Sequence, residues 1–438
     1  DFVVSAGCKP FQSKQLRDLL YKKHTKSFDE MMYIPKHLRQ DLKDTFHIAG
    51  CLDLKKELVS RDGTIKHAYG IAGGSIIETV LMRYKDGRNT ACISSQAGCA
   101  MNCSFCATGQ SGFTRNLTHE EIFEQAYNMA DFCQSEGQRL SNVVFMGMGE
   151  PLNNYKNVTK AAHMMNTHLG IGAQHITIST VGNVPKIKKL ATEKLRTTLA
   201  ISLHTPYEDE RAKIMPISTK YPICELVHAA VNYAENTNRR VTFEYCLIHG
   251  QNDSQKHAYK LARVLGPMKG LSHVNLIPLN PTPTFEGKAS TEESVRVFQE
   301  ILMTAGAIPS TVRVKRGVDI DAGCGQLADS LLKDIAKVKR RSGNKSAINE
   351  MIGSESSFAE DEGSEQTSEE KKKTHGDDSD IIQSFGTGKH TSDNIIAKGV
   401  NVIHAPSGKH AKSNPRFWAK PGALEAGDAS VQQRTALL

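Results

Sequence analysis

The chain of 438 residues lacks any run of the roughly 20 consecutive apolar residues that a membrane-spanning helix requires. We therefore expect no membrane partner. Hydrophobic residues make up 39% and charged residues 23% of the chain, with a mean hydropathy of -0.40, which is typical of chains that fold in water. The length exceeds that of one average domain and predicts two or three structural units.

The chain also lacks the cysteine density of a small secreted protein that disulfides hold together. Its ten cysteines are scattered, and none lies in the last 114 residues. Scattered thiols in a chain of this size favour a reducing compartment. We expect a cytoplasmic protein, and the long hydrophilic C-terminal segment leaves an organelle matrix or stroma open.

The segment 341–438 has few apolar residues and many Gly, Ser, Thr and charged residues. Such a composition cannot bury enough apolar surface to offset the entropy lost on ordering, so we predict a disordered tail. This tail carries 12 Lys and Arg against 14 Asp and Glu, whereas residues 1–340 carry 43 against 33. The basic excess of the body suits a polyanionic partner such as RNA.

Two hydrophobic patterns divide the body. Helical spacing of Leu16, Leu19 and Leu20, and again of Leu38 and Leu42, predicts a small helical domain, which we place at 1–55. A β-rich connecting segment follows at 56–90. From 91 to 340, short β-rich runs alternate with longer helical ones, which predicts an α/β fold with parallel strands and about six strand–helix units. The predicted strands are 76–84, 91–95, 142–146, 175–179, 198–202, 241–247, 273–278 and 311–314.

Three cysteines, Cys99, Cys103 and Cys106, form a CxxxCxxC run directly after a predicted strand. Three thiolates on one loop can hold three irons of a 4Fe-4S cube and leave the fourth iron open to a ligand. A structural zinc ion normally takes four protein ligands, and no further Cys or His continues the run at zinc-finger spacing. Zinc binding and three merely buried thiols stay open as alternatives. The same spacing is the signature of radical S-adenosylmethionine (SAM) enzymes, in which the open iron binds SAM.

Glycines and polar residues follow several of the predicted strands. Glycine lets the backbone approach a ligand closely, and a carboxylate beside it can bind an ammonium group. In a βα barrel the carboxyl ends of successive strands meet at one mouth, so we expect these residues to share a ligand there. Taken singly, each also fits an ordinary turn or strand end. The candidates are Gly149, Glu150, Ser179, Ser202, Leu203, His204 and Asn280.

Five stretches together resemble the RlmN-type radical SAM adenine C2 methyltransferases. The resemblance runs from about residue 9 to residue 335, and the stretches occur in the order of the family. They are 92–99, the cysteine triplet, 144–151, 202–204 and 319–327. The resemblance implies a partial (βα)6 TIM-like radical SAM barrel with a small N-terminal helical domain. It also implies a 4Fe-4S cluster on Cys99, Cys103 and Cys106, with two SAM molecules used per turnover and bound by the strand-end residues.

The resemblance assigns catalytic roles to three further residues. Cys324 matches the cysteine that carries the methyl group as S-methylcysteine, and Cys92 matches the one that resolves the enzyme–substrate adduct through a transient disulfide. Glu78 matches the proton acceptor, and a positioned base for the C2 proton is chemically reasonable. Without the family, both cysteines would be interpreted as inert buried thiols and Glu78 as a charge on an edge strand.

The implied substrate is a specific adenosine in large-subunit (23S-type) rRNA, with the adenosine 3′ of the anticodon in tRNAs left open as a second one. Chemistry on a base edge requires an unstacked or loop nucleotide. Arg313, Lys315 and Arg316 are candidate phosphate contacts. An electron donor of the flavodoxin or ferredoxin type is implied, and we expect a monomer. The alternatives are the sister resistance family, which methylates C8 of the same adenosine, and a non-catalytic RNA-binding module stabilised by zinc.

Overall fold

Three helices open the chain in the computed structural model, which describes residues 2–48, 50–282, 285–327 and 417–419. They are α1 (Phe2–Ser5), α2 (Pro10–Tyr21) and α3 (Lys36–Thr45). Pro10 stands in the first turn of α2, where its missing N–H costs no hydrogen bond. The leucines at helical spacing are buried in both longer helices. The predicted N-terminal helical region is therefore confirmed.

The rest of the described chain alternates between strands and helices. The strands are β1 (Phe46–Ile48), β2 (Asp53–Val59), β3 (Ile65–Gly70), β4 (Ile76–Arg83), β5 (Asn89–Cys92), β6 (Gln96–Gly98), β7 (Phe113–Asn116), β8 (Asn142–Phe145), β9 (Ile176–Thr180), β10 (Thr198–Ser202), β11 (Val241–Leu247), β12 (Ser272–Pro278), β13 (Ser310–Val312) and β14 (Phe417–Ala419). The helices are α4 (Ala107–Gln110), α5 (His119–Ser135), α6 (Tyr155–His168), α7 (Val184–Leu190), α8 (Glu208–Ile214), α9 (Ile223–Thr237), α10 (Gln255–Val264) and α11 (Glu292–Gly306).

Ten strands form one sheet in the order β13-β12-β11-β10-β9-β8-β5-β4-β3-β2. Every neighbouring pair from β5 to β13 is parallel, whereas β2 to β5 pair antiparallel. The parallel strands are joined through α5, α6, α7, α8 with α9, α10 and α11, which makes six crossovers. Within the described residues β2 and β13 pair on one side only. The open sheet confirms the predicted α/β partial barrel.

Local sequence signals start the helices and shape the cysteine loop. α5 begins at a capping box, in which Thr118 accepts the Glu121 N–H at 3.3 Å and Glu121 accepts the Thr118 N–H at 2.9 Å. β6 and β7 form a separate antiparallel hairpin around residues 99–112, which include the cysteine triplet. The Cys99 N–H donates to the Gly112 carbonyl at 2.6 Å and closes that loop.

The predicted tail at 341–438 lies outside the described residues except for β14. This short strand pairs antiparallel with β1, with Trp418 opposite His47. Of the helices in the described ranges, none combines the length and apolar character needed to cross a membrane.

Candidate active site

A cavity opens where β8, β9, β10, β11 and β12 reach their carboxyl ends. It encloses about 840 Å³ of empty space, part of it open to solvent. Residues at these strand ends and from the cysteine loop form its walls. Because the carboxyl ends of parallel strands lie on one side of the sheet, side chains far apart in sequence meet there. The residues that the sequence predicts as strand-end ligand contacts and that line this cavity are Gly149, Glu150, Ser179, Ser202, His204 and Asn280.

The cysteine loop forms one side of this cavity. Cys103 and Cys106 line it directly, and Cys99 is buried at the start of the loop. Burial raises the pKa of Cys99 to about 12, and burial followed by the neighbouring charges of Cys106 and Cys99 raises the pKa of Cys103. The three thiols are therefore close enough to influence each other electrostatically.

The donor set fits a 4Fe-4S cluster. Among the described residues, no three His, Cys, Asp or Glu side chains surround a single point as the ligands of one metal ion do. The thiolates of a 4Fe-4S cluster do not have to meet at one point, because each of them binds a different iron. Three thiols on one loop beside an open cavity satisfy that requirement and leave room for a ligand on the fourth iron.

The turn after β8 brings its backbone against the neighbouring segment. Gly149 has a φ of +97°, and a Cβ atom there would stand 2.5 Å from the Gln96 Cβ. Only glycine fits this position without displacing Gln96, whose Oε1 accepts the Glu150 N–H at 2.8 Å. The glycine thereby lets the next residue, Glu150, enter the cavity wall.

Replacing Gly149→Ala is expected to lower the free energy of unfolding by about 1–3 kcal/mol because an alanine is strained at this positive φ. The clash of the new Cβ atom with Gln96 is expected to add a further loss. Gly63→Ala is the matched control, because Gly63 also has a positive φ of +80° but has nothing within 4 Å of its Cβ position. Urea denaturation of both variants measures the difference. Equal losses would show that the Gln96 contact does not restrict this position.

Glu150 is a buried carboxylate with three hydrogen-bond donors around it. It accepts from the Thr180 hydroxyl at 2.7 Å, the Val181 N–H at 2.9 Å and the Leu152 N–H at 3.0 Å. Burial raises the pKa of Glu150 to about 7, although these hydrogen bonds oppose the shift. A carboxylate held this way beside a cavity can bind an ammonium group.

His204 and Asn280 present defined polar groups at the same cavity. The His204 Nδ1 accepts the Cys246 N–H at 2.9 Å, so the ring proton is on Nε2. Burial, with the charge of Arg211, lowers the pKa of His204 to about 3 and keeps the ring neutral. The Asn280 Nδ2 donates to the Cys324 carbonyl at 3.1 Å, while its buried Oδ1 has no hydrogen-bond partner among the described residues. That oxygen can accept from a ligand.

Leu203 lies behind the cavity wall and does not line it. Its side chain is fully buried, and its N–H donates to the Glu244 carbonyl at 3.0 Å. Arg211 supports the same turn, since its fully buried guanidinium donates to the carbonyls of Leu203, Ser202 and Val181. The sequence gives no signal for this role, because Arg211 stands in an ordinary charged helix.

A second cavity of about 520 Å³, partly open to solvent, adjoins the first, and Cys324 lines both. Cys92 lines the second cavity only, so the structure brings the two predicted reactive cysteines to one place. Gly325 next to Cys324 has a φ of +83°, and its carbonyl accepts the Ala107 N–H at 2.8 Å. The loop of Cys324 is thereby joined to α4, which directly follows the cysteine triplet.

Glu78 lies in β4 between β3 and β5, fully buried and outside the lining of both cavities. Its Oε1 is 3.3 Å from the Nζ of Lys66, which is also buried. The same ammonium group donates to the Asp321 carbonyl at 3.1 Å. A buried ion pair thus connects Glu78 with the loop that carries Cys324.

The three predicted phosphate contacts all line the second cavity but differ in exposure and in their neighbours. Arg313 is half-buried in the second cavity, Lys315 is exposed, and Arg316 stacks over the Tyr84 ring at 4.6 Å. Sequence reasoning missed Glu244, a buried carboxylate in the first cavity. Its signal was a charged residue inside the otherwise apolar strand 241–247.

Known proteins resemble this chain over most of the described part. A family model of the radical SAM superfamily matches residues 93–262, and one of a ribosomal RNA large subunit methyltransferase N-terminal domain matches residues 1–48. The dual-specificity RNA methyltransferase RlmN 1 of Myxococcus xanthus is 45% identical over 339 residues, which cover 77% of this chain and 91% of that protein. A probable dual-specificity RNA methyltransferase RlmN of Clostridium perfringens is 44% identical, over 76% of this chain and 94% of its own. The crystal structure of a radical SAM methyltransferase from Sphaerobacter thermophilus gives a TM-score of 0.69 at 43% identity, covering 75% of this chain and 95% of that one.

Proposed function

This chain belongs to the RlmN family of radical SAM RNA methyltransferases, and we propose that it methylates C2 of a specific adenosine in large-subunit (23S-type) rRNA. The observation that carries the proposal is the position of Cys324, which lines both cavities, beside the cysteine loop in one and beside Cys92 in the other. A thiol in that place can receive a methyl group on one side and deliver it on the other. The adenosine 3′ of the anticodon in tRNAs is a second proposed substrate, supported by the dual-specificity names of the relatives.

The residues of the first cavity suit a bound SAM molecule. The 4Fe-4S cluster and SAM, when bound, supply a methyl group and a 5′-deoxyadenosyl radical. Cys99, Cys103 and Cys106 would hold the cluster. Glu150 would bind the ammonium group of SAM, the neutral His204 would donate a hydrogen bond through Nε2, and the Asn280 Oδ1 would accept one. The remaining proposed contacts are Gly149, Ser179, Ser202 and the backbone of Leu203.

The second cavity suits the methyl transfer itself. We assign Cys324 as the methyl carrier and Cys92 as the resolving thiol. Cys92 attacks the Cys324 sulfur, the bond from that sulfur to the transferred carbon breaks, and its electron pair stays with the carbon, which takes up a proton. The product leaves and a Cys92–Cys324 disulfide is left. We assign Glu78 as the proton acceptor, with the Lys66 ammonium group as its counter-charge. Adenine C2 and the methyl carbon of SAM are both electrophilic, so direct transfer between them is unfavourable. If the methyl group is first carried on the Cys324 sulfur, its carbon can be converted into a species that adds to an electrophilic C2.

The deciding experiment is anaerobic reconstitution of the full chain with iron, sulfide, SAM, a reductant and unmodified RNA. Separate reactions with a large-subunit rRNA fragment and a tRNA anticodon stem-loop test the two substrates. Mass spectrometry of the nucleosides should locate the new methyl at adenine C2, and peptide analysis should find a methyl group on Cys324. Cys324→Ala should retain the cluster and form no methylated RNA.

Other products of the same reactions identify the alternatives. Methyl at C8 would place the chain with the sister resistance family. A colourless protein that contains zinc and ignores SAM would identify a non-catalytic RNA-binding module. Methylated RNA formed by the Cys324→Ala variant would refute the carrier role.

We further propose a flavodoxin- or ferredoxin-type electron donor, a monomeric state and a cytoplasmic location, with an organelle matrix or stroma left open. The ten cysteines, all of which lie in the described part of the chain, form no disulfide there, which supports a reducing compartment. Anaerobic electron-transfer assays with each donor, sedimentation and fractionation of cells test these points separately.

A further inference from the structure

Arg313 is one of three basic residues that line the second cavity, with Lys315 and Arg316. Its backbone N–H donates to the Leu276 carbonyl at 2.8 Å, which fixes the residue directly after β13. Its guanidinium lines the cavity with Cys92 and Cys324 and contacts the Met146 sulfur at 3.4 Å. Among the described residues, no carboxylate lies within ion-pair distance of this guanidinium. A half-buried guanidinium with thiols as neighbours and no close carboxylate is an unusual use of an arginine.

Several ionisable groups from different parts of the fold affect the pKa of Arg313. Burial by itself would lower the pKa of the Arg313 guanidinium. The interactions with Cys324, Glu244, Cys92 and Tyr84 together outweigh burial, so the pKa is raised. Glu244 is held separately, since the Asn275 Nδ2 donates to it at 2.8 Å. The Arg313 guanidinium therefore interacts with Glu244 and with the two cysteines, and it lines the second cavity with both cysteines.

Arg313 lowers the pKa of both thiols. Burial raises the pKa of Cys92 to about 12, the charge of Cys324 raises it further, and Arg313 lowers it. Burial also raises the pKa of Cys324, Arg313 lowers it, and Glu244 and Cys106 raise it. A backbone hydrogen bond from Met146 also lowers the pKa of Cys92, whereas Arg313 opposes the effect of burial at both cysteines.

The proposed function requires both cysteines to act as nucleophiles, and only the thiolate is nucleophilic. When Cys324 is methylated, its thiol proton goes to solvent. A bond forms between its sulfur and the methyl carbon of SAM, the bond from that carbon to the sulfonium breaks, and S-adenosylhomocysteine leaves. A fixed positive charge beside the sulfur increases the fraction of Cys324 that is present as the reactive thiolate.

We propose that Arg313 is a positioning residue that stabilises the thiolates of Cys324 and Cys92, rather than a contact to RNA phosphate. This inference rests on the proposed function for the use made of the thiolates. Lys315, exposed two residues later, is the better placed residue for phosphate. A guanidinium suits the task because it keeps its charge when partly buried.

The test is the alkylation rate of Cys324 in the anaerobically purified, cluster-loaded full chain. Iodoacetamide reacts with the thiolate, and peptide mass spectrometry reports each cysteine separately between pH 7 and 9. Arg313→Met is expected to slow Cys324 alkylation about tenfold, since one pKa unit changes the thiolate fraction tenfold below the pKa. Arg313→Lys should restore most of the rate because it restores the charge.

Two controls separate electrostatics from a change of shape. Arg316→Met removes a second cation of the same cavity that stacks on Tyr84, and it should leave the rate unchanged. Glu244→Gln removes a charge that disfavours the thiolate, so it should speed alkylation, an effect of opposite sign that structural damage would not mimic.

An unchanged Cys324 rate in Arg313→Met would overturn the inference, and loss of RNA affinity in the same variant would assign Arg313 to phosphate. An Arg313→Lys protein as slow as Arg313→Met would also overturn it, because charge would then not be the cause. The alkylation readout needs no RNA. If Arg313→Met alkylates slowly while the wild-type chain never carries methyl on Cys324, the proposed function fails and the electrostatic role stands.

Discussion

Replacing Cys103→Ala is expected to remove the iron–sulfur cluster and reduce SAM cleavage to background. Cys103 is the middle cysteine of the triplet that we propose as cluster ligands; it is buried and lines the first cavity, and two thiolates cannot hold three irons of a cube. Without the cluster no electron reaches SAM, so RNA methylation is lost as well. The measurement is iron and sulfide content together with 5′-deoxyadenosine formed in the presence of a reductant.

Cys133→Ala is the matched control for this prediction. Cys133 is equally buried but lies in α5, outside the lining of both cavities. Its removal should cost stability only, and the iron content should stay at the wild-type level. A Cys103→Ala protein that keeps a full cluster and cleaves SAM would refute the assignment of the triplet.

Replacing Lys66→Met is expected to lower the free energy of unfolding by about 3–5 kcal/mol, because it removes the positive charge beside the fully buried Glu78 carboxylate. The double variant Lys66→Met with Glu78→Met should lose less than Lys66→Met alone, since it removes both charges of the buried pair. Urea denaturation of the three proteins measures both effects.

An exposed ion pair supplies the comparison for Lys66. Arg296 and Glu293 are 2.8 Å apart with side chains more than half exposed, and Arg296→Met should change stability by at most about 1 kcal/mol. If Lys66→Met is no more destabilising than Arg296→Met, the contact between Lys66 and Glu78 does not hold the sheet together.

The sequence reveals the parallel part of the sheet well. The predicted strand 241–247 coincides with β11, because a strand covered on both faces is mostly apolar along its length, here apart from Thr242 and Glu244. β2 was not predicted as a strand, since its half-exposed sequence DLKKELV is charged and lacks strict alternation. The charge of Glu78 would by itself indicate an edge strand, but β3 covers β4 on that side.

The strand-end residues of the site were predictable for a geometric reason, whereas their partners were not. Parallel strands present their carboxyl ends together, so Glu150 and Asn280 meet at one cavity although 130 positions separate them in the chain. Lys66 meets the Asp321 carbonyl across 255 positions, and no local pattern encodes that contact. For Arg313, a basic sequence suggested an outward-facing side chain, and only the fold shows that it faces the thiols.

Two hydrogen bonds join α4 to the loop of Cys324. The N–H of Ala107, which follows Cys106, donates to the Gly325 carbonyl, and the hydroxyl of Thr108 donates to the Leu327 carbonyl. Because α4 directly follows the cysteine triplet, these bonds fix the distance between the triplet and the Cys324 loop. A substitution that displaces α4 is therefore expected to disturb Cys324 as well as the triplet, although it replaces no cysteine.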